Sequence, residues 1–330
     1  MQLDPKVNKG KPLLVISLDF ELHWGVFDKV SPEEKRADFE RTKVVIPRIL
    51  EVFERYGVAA TWATVGMLLT ESREEWEHYK PAELPTYQNP QLSPYHWVAQ
   101  NGYDSAIHSA YPLVKQLLLT PGQELGSHTF SHYYTGEPGQ QIEQFRADLK
   151  ASRAIVQDKC GKALQSLVFP RNQFDHQSLK ICHEEGFATV RVNPSDWFWK
   201  EPVKAGLLDK VFRTGDAVFP LGRHTTFAQD KLLQTEGLPL QLPASRLLRP
   251  LGNYSLMNSA RIRRIIGEMT FAAKHGLVYH LWWHPHNFGH APKESMRDLQ
   301  RLLEVFKKLQ QDYGMCSVNM GKLAKEAKAN

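Results

Sequence analysis

The chain has 330 residues, 42% of them hydrophobic and 23% charged, with a formal net charge of +5. Those fractions belong to a globular protein with enough apolar residues for a sizeable core. So small a charge argues against nucleic acid as a partner. Three scattered cysteines, Cys160, Cys182 and Cys316, argue against a disulfide framework and against a Cys-based zinc site. Residues 1–11 are polar, and the apolar run at 13–18 is too short for a signal peptide or a membrane span. A reduced, cytoplasmic protein without stable membrane insertion is therefore expected.

Residues 13–18 read as a strand covered on both faces and ending at Asp19. Val45, Ile49, Val52, Phe53 and Tyr56 then recur at helical spacing, and Gly57 stands where a helix stops. Residues 59–65 form the next strand, 112–119 a helix, and a short strand ends near Ser127. Ile142, Phe145, Leu149 and Val156 mark another helix, which leads to a strand at 167–169. A short helix at 178–185 precedes a strand at 188–192. A helix at 261–274 precedes an apolar strand at 277–283, and a helix through Leu299 and Phe306 precedes a last strand at 315–320. Strands alternating with helices mean a parallel sheet in an α/β fold, here a single domain over 1–330. Two stretches, about 70–104 and 200–254, break the alternation and read as long loop insertions.

Ionisable residues gather at or just past the C-terminal ends of these strands: Asp19, Glu21, His128, His132, Arg171, Asp196, His284 and His286. That edge is where parallel α/β folds build their active sites. His128 and His132 are four apart, so in a helix they would share a face and bind one metal. Asp19 and Glu21, two apart on a strand, point the same way and can supply the carboxylate ligand. An Asp-led strand end is also the mark of a phosphoryl-transfer nucleophile, although Glu21 and His23 depart from that pattern. Pro285 separates His284 from His286 and is expected to send them in different directions. A histidine free of the metal is a natural acid for a departing amine. Trp197, Trp282 and Trp283 can form apolar walls at the rim or fill the core.

These residues, taken together and in order, resemble the motifs of the NodB-type polysaccharide deacetylases. The resemblance rests on Asp19-Phe20-Glu21, His128 to His132, Phe169-Pro170-Arg171, Asn193 to Trp197, and His284. The resemblance implies a distorted (β/α) barrel with fewer than eight strands and a divalent metal, usually zinc. It implies His128 and His132 as metal ligands, Asp19 as base, Arg171 as the arginine that fixes the base, and His284 as acid. Glu21 departs from the usual adjacent aspartate and is taken as the third ligand. Asn193 replaces the usual aspartate of the fourth motif, and Asp196 is taken for that role. Trp197, Trp283 and His286 are the expected substrate contacts. The expected activity is removal of an acyl group, most simply acetyl, from an amino sugar or glycan precursor: a nucleotide sugar, a lipid-linked sugar or a small glycoside. Arg246, Arg249, Arg261, Arg263 and Arg264 are candidate phosphate contacts, with a solvated helix face as the blander reading for Arg261, Arg263 and Arg264. The alternatives are a metal-free amidohydrolase acting on a cyclic ureide and a non-catalytic glycan-binding barrel.

Overall fold

A computed structural model describes residues 10–194, 225–232, 235–251 and 255–329. Nine strands are described: β1 (Leu13–Phe20), β2 (Ala60–Thr64), β3 (Gln123–Ser127), β4 (Ser166–Val168), β5 (Thr189–Val192), β6 (Leu240–Pro243), β7 (Arg246–Leu247), β8 (Val278–Trp283) and β9 (Cys316–Val318). The sheet runs β6-β5-β4-β3-β2-β1-β8-β7, with β9 paired to β1, and all these ladder pairings are parallel. Only Ala244 and Ser245 separate β6 from β7. One run of chain therefore pairs with β5 on one side and β8 on the other, joining the two ends of the curled sheet. With β6 and β7 taken as a single stave and β9 set aside as a strand off this path beside β1, the described residues give the distorted barrel seven staves.

All eight residues of β1 are buried, as expected of a central parallel strand. Its alternate residues serve different layers. Leu14, Ile16, Leu18 and Phe20 join the large core between sheet and helices. Leu13 and Val15 join Ala63, Val168, Leu240, Leu242, Val278 and Met320 inside the curl. Ser17 and Asp19 continue that inner row, so the interior turns from apolar to polar towards the strands' C-terminal ends. The polar end holds the site.

The first long helix, Pro32–Tyr56, begins well before its apolar periodicity. Ser31 caps it by accepting from the Glu34 N–H, and Pro32 occupies the first turn. It ends at Gly57, whose φ of 65° suits a residue without Cβ. The stretch 70–104 carries helices Arg73–Tyr79 and Pro94–Asn101, where an irregular loop was expected. Trp76, Tyr95 and Val98 bury it in the main core. Part of the second stretch supplies β6 and β7. No helix among the described residues is long and apolar enough to cross a membrane.

Candidate metal centre and active site

Glu21 directly follows β1 and is buried. Its Oε2 lies 3.1 Å from His128 Nε2 and 3.0 Å from His132 Nε2. These three side chains form a group that could hold a metal ion, their ligand atoms all within 4.8 Å of one another. Gly25 makes room for the carboxylate, because a Cβ there would meet Glu21 Oε1 at 2.0 Å.

The two histidines sit on a tight loop after β3, not on a helix. Thr129 and His132 take φ of 63° and 56°. That left-handed backbone costs roughly 1–2 kcal/mol per non-glycine residue and persists only where the surroundings impose it. Here Asp148, from the helix Ile142–Cys160, imposes it by accepting from the Phe130 and Ser131 N–H groups and the Ser131 hydroxyl. In a helix the spacing of four would put the two rings on one face; here the loop brings them together, with centroids 5.0 Å apart.

His128 Nδ1 lies 2.8 Å from the Val168 carbonyl, an acceptor only, so Nδ1 carries the proton. A neutral His128 then turns the lone pair of Nε2 towards Glu21 Oε2. With His132 Nε2 beside it, this buried group could hold a cation, and one carboxylate with two imidazoles is a donor set that fits a zinc-type ion. Burial opposes ionisation of Glu21, but the surrounding imidazoles, His284 and His132 foremost, outweigh it and hold the carboxyl well below its usual range.

Asp19, one inward position before Glu21, is clasped by Arg191, with Nη1 to Oδ1 at 2.6 Å and Nη2 to Oδ2 at 2.8 Å. Burial opposes its ionisation, yet the Arg191 charge and hydrogen bonds, then His128 and His284, keep its pKa below the ordinary value. Arg191 also donates to Ser17 Oγ at 3.1 Å and Asn172 Oδ1 at 3.1 Å, and its guanidinium lies 4.2 Å from the Trp282 ring centroid. Ser17 in turn meets His280 Nε2 at 2.9 Å.

The expectation that Arg171 fixes Asp19 is corrected: Arg171 pairs with Asp28 and Glu137 instead. It sits on the turn after β4 with φ of 55°, which directs its side chain across the mouth. Arg191 escaped notice because it lies inside a strand rather than at its end. A lone charge at a buried strand position was the available signal. His280, inside β8, escaped for the same reason.

His284 Nε2 stands 3.7 Å from both Asp19 Oδ2 and Glu21 Oε1. His286 Nδ1 lies 3.8 Å from the same Glu21 oxygen, so the histidines flanking Pro285 converge rather than diverge. His284 is the more open, its side chain 26% exposed against 14%. Burial pushes the His286 pKa down to about 4, so it is neutral at neutral pH.

Trp283 is corrected as a substrate wall. Strand alternation turns it outward, fully buried against Phe53 and Phe288. Trp282 is the inward neighbour, with its ring centroid 5.6 Å from that of His284. Asn193 donates to the Asn172 carbonyl at 3.2 Å. Asp196 and Trp197 lie outside the described residues. Arg246 is a poor phosphate ligand, since Glu268 accepts from it twice at 2.7 Å in the core.

The sequence pattern of the polysaccharide deacetylase family matches residues 26–190, half of the chain. The chain belongs to that family. The matched span includes His128, His132 and Arg171 but not Asp19, Glu21, Arg191 or His284, so for those four the geometry is the argument. No curated protein matches this deacetylase-family chain by sequence. Among solved structures it is similar to a "putative polysaccharide deacetylase" from Mycobacterium smegmatis, with TM-score 0.60 and 13% identity over 98% of this chain and 93% of that one. It is similar also to Puue allantoinase, with TM-score 0.55 and 11% identity over 99% and 92%. A 4-alpha-glucanotransferase from Thermococcus litoralis has TM-score 0.54 and 12% identity over 96% of this chain and 40% of that one. Identities this low speak to the fold alone, and one fold hosts several chemistries.

Proposed function

We propose that this polysaccharide deacetylase family member is a metal-dependent hydrolase that removes an acyl group, acetyl in the simplest case, from the nitrogen of an amino sugar. The observation that carries the reading is the meeting of Glu21 Oε2 with the Nε2 atoms of His128 and His132. These three residues would hold the metal, with zinc the best match to one carboxylate and two imidazoles. Bound there, zinc would supply a Lewis acid that polarises the acyl carbonyl and makes water more acidic.

Asp19 takes the proton of the attacking water at a carboxylate oxygen, and Arg191 keeps that carboxylate ionised and aimed. His284, open to the mouth, delivers a proton from Nε2 to the departing amine, which leaves poorly without one. His286, neutral and tucked behind Glu21, is unsuited to that role. Trp282 lines the inner wall beside His284.

Elemental analysis of purified protein, together with a screen of N-acetylated nucleotide sugars and short chito-oligosaccharides, tests the reading. About one zinc per chain and acetate release are expected. His284→Ala should lower kcat by about 10²- to 10⁴-fold while retaining zinc. Stoichiometric metal in a His128→Ala/His132→Ala variant, or metal-free turnover of a cyclic ureide, would overturn it.

A further inference from the structure

Each metal-facing histidine uses its second ring nitrogen differently. His128 Nδ1 meets a backbone carbonyl, whereas His132 Nδ1 lies 3.1 Å from the Tyr134 hydroxyl. Tyr134 is fully buried, and its own N–H donates to the Tyr87 hydroxyl at 2.8 Å. Over the Tyr134 ring lies the Arg171 guanidinium, with Cζ 4.0 Å from the centroid. Asp28 and Glu137 hold that guanidinium, so the loops after β1, β3 and β4 meet at this point.

Arg171 and Asn172 are consecutive non-glycine residues in the left-handed region, with φ of 55° and 53°. Their arrangement sends the two side chains to opposite halves of the site. Asn172 Oδ1 accepts from Arg191, on the Asp19 side. Arg171 covers Tyr134, on the His132 side. A histidine that ligates through Nε2 must keep its proton on Nδ1 and needs an acceptor there to fix ring and tautomer. The Tyr134 hydroxyl is that acceptor, and the ring under it has a planar cation to lie against.

We propose that Tyr134 and Arg171 are positioning residues for the metal ligand His132: Tyr134 fixes its Nδ1 proton, and Arg171 acts through Tyr134. The proposal rests on the metal-site reading above, and its test separates the two. Zinc affinity, by competition with a chelator, would be measured for wild type, Tyr134→Phe, Arg171→Lys and the double variant. Lysine keeps the charge of Arg171 but loses its planar contact.

Tyr134→Phe should weaken zinc binding by about 10- to 100-fold, and Arg171→Lys by several-fold. In the Tyr134→Phe background, Arg171→Lys should add less than about twofold, because its effect passes through the hydroxyl. The visible spectrum of the cobalt(II)-loaded protein should change in Tyr134→Phe, with the melting temperature in chelator unchanged. Wild-type protein that binds no zinc defeats the metal-site reading itself. Wild-type protein that binds zinc, with Tyr134→Phe within about twofold of it, defeats only the positioning proposal. So does an Arg171→Lys effect that persists in full without the hydroxyl. Should Tyr134→Phe fail to fold, Arg171→Lys decides: unchanged affinity and cobalt spectrum would overturn the proposal.

Discussion

Arg191 brings a positive charge into the barrel interior, where only 2% of it is exposed, and Asp19 answers with both carboxylate oxygens. Such a pair is weak evidence of stabilisation as a whole, but removing one partner strands the other charge and costs about 3–5 kcal/mol. Arg191→Leu is therefore expected to lose that much in urea unfolding and to lose turnover. An Asp19→Leu/Arg191→Leu variant should regain part of the stability and none of the activity. If Arg191→Leu unfolds like wild type, the clasp is not holding Asp19. At this scale the sequence showed the groups that stand at strand ends, because a polar residue after an apolar run is conspicuous. It hid Arg191 and His280, which stand where the run continues, and the family resemblance pointed for the base's arginine to Arg171, which stands just past a strand end. It also hid Gly25, whose missing Cβ leaves space for Glu21.

The histidine loop depends on one acceptor from a helix behind it. Asp148 serves two backbone N–H groups and the Ser131 hydroxyl from full burial. Burial raises its pKa to about 6, against the pull of those hydrogen bonds. A carboxyl raised in the folded state binds its proton more tightly there than in the unfolded chain. Its contribution to stability is therefore greatest below its unfolded value, falls as pH rises from about 4 to about 6, and is flat above. Asp148→Asn cannot follow that course, and its amide turns a donor towards N–H groups that need an acceptor. Urea unfolding of chelator-treated protein should thus show the wild-type advantage over Asp148→Asn shrinking by on the order of 2–3 kcal/mol from pH 4 to pH 6. An advantage that grows over that interval would mean that the hydrogen bonds outweigh burial. Long elements were legible at this scale and short ones were not. Helices Arg73–Tyr79 and Pro94–Asn101 span two turns each, too few for a period to declare itself, although Ser72 and Ser93 cap them. At a spacing of four, His128 and His132 would share a face only in a helix, and Asp148 holds that segment as a loop that brings the rings together by another route.

Strand order places β2 between β1 and β3, so the ligands meet across an intervening strand. Glu21 reaches His128 and His132 over 107 and 111 positions of chain. That alternation of strands and helices was plain in the sequence, because parallel strands buried on both faces read as apolar runs. The closing run, β6 with β7, was not, because its two short strands fall within a stretch dominated by irregular sequence. An ion at the centre would tie two strand ends together and relieve three electron-rich atoms held close. A ligand that binds only the folded state stabilises it by about 4 kcal/mol at a thousand times its dissociation constant. In chains of this general size each kcal/mol moves the melting temperature by about 2–4 °C. Saturating zinc should therefore raise the melting temperature of metal-stripped protein by on the order of 10 °C. Glu21→Gln and His132→Ala should each lose most of that rise, since each removes one of three ligands. Asp19→Asn should keep it, because Asp19 belongs to Arg191 and stands outside the triad. A rise that survives in Glu21→Gln but disappears in Asp19→Asn would exchange the two carboxylates' roles.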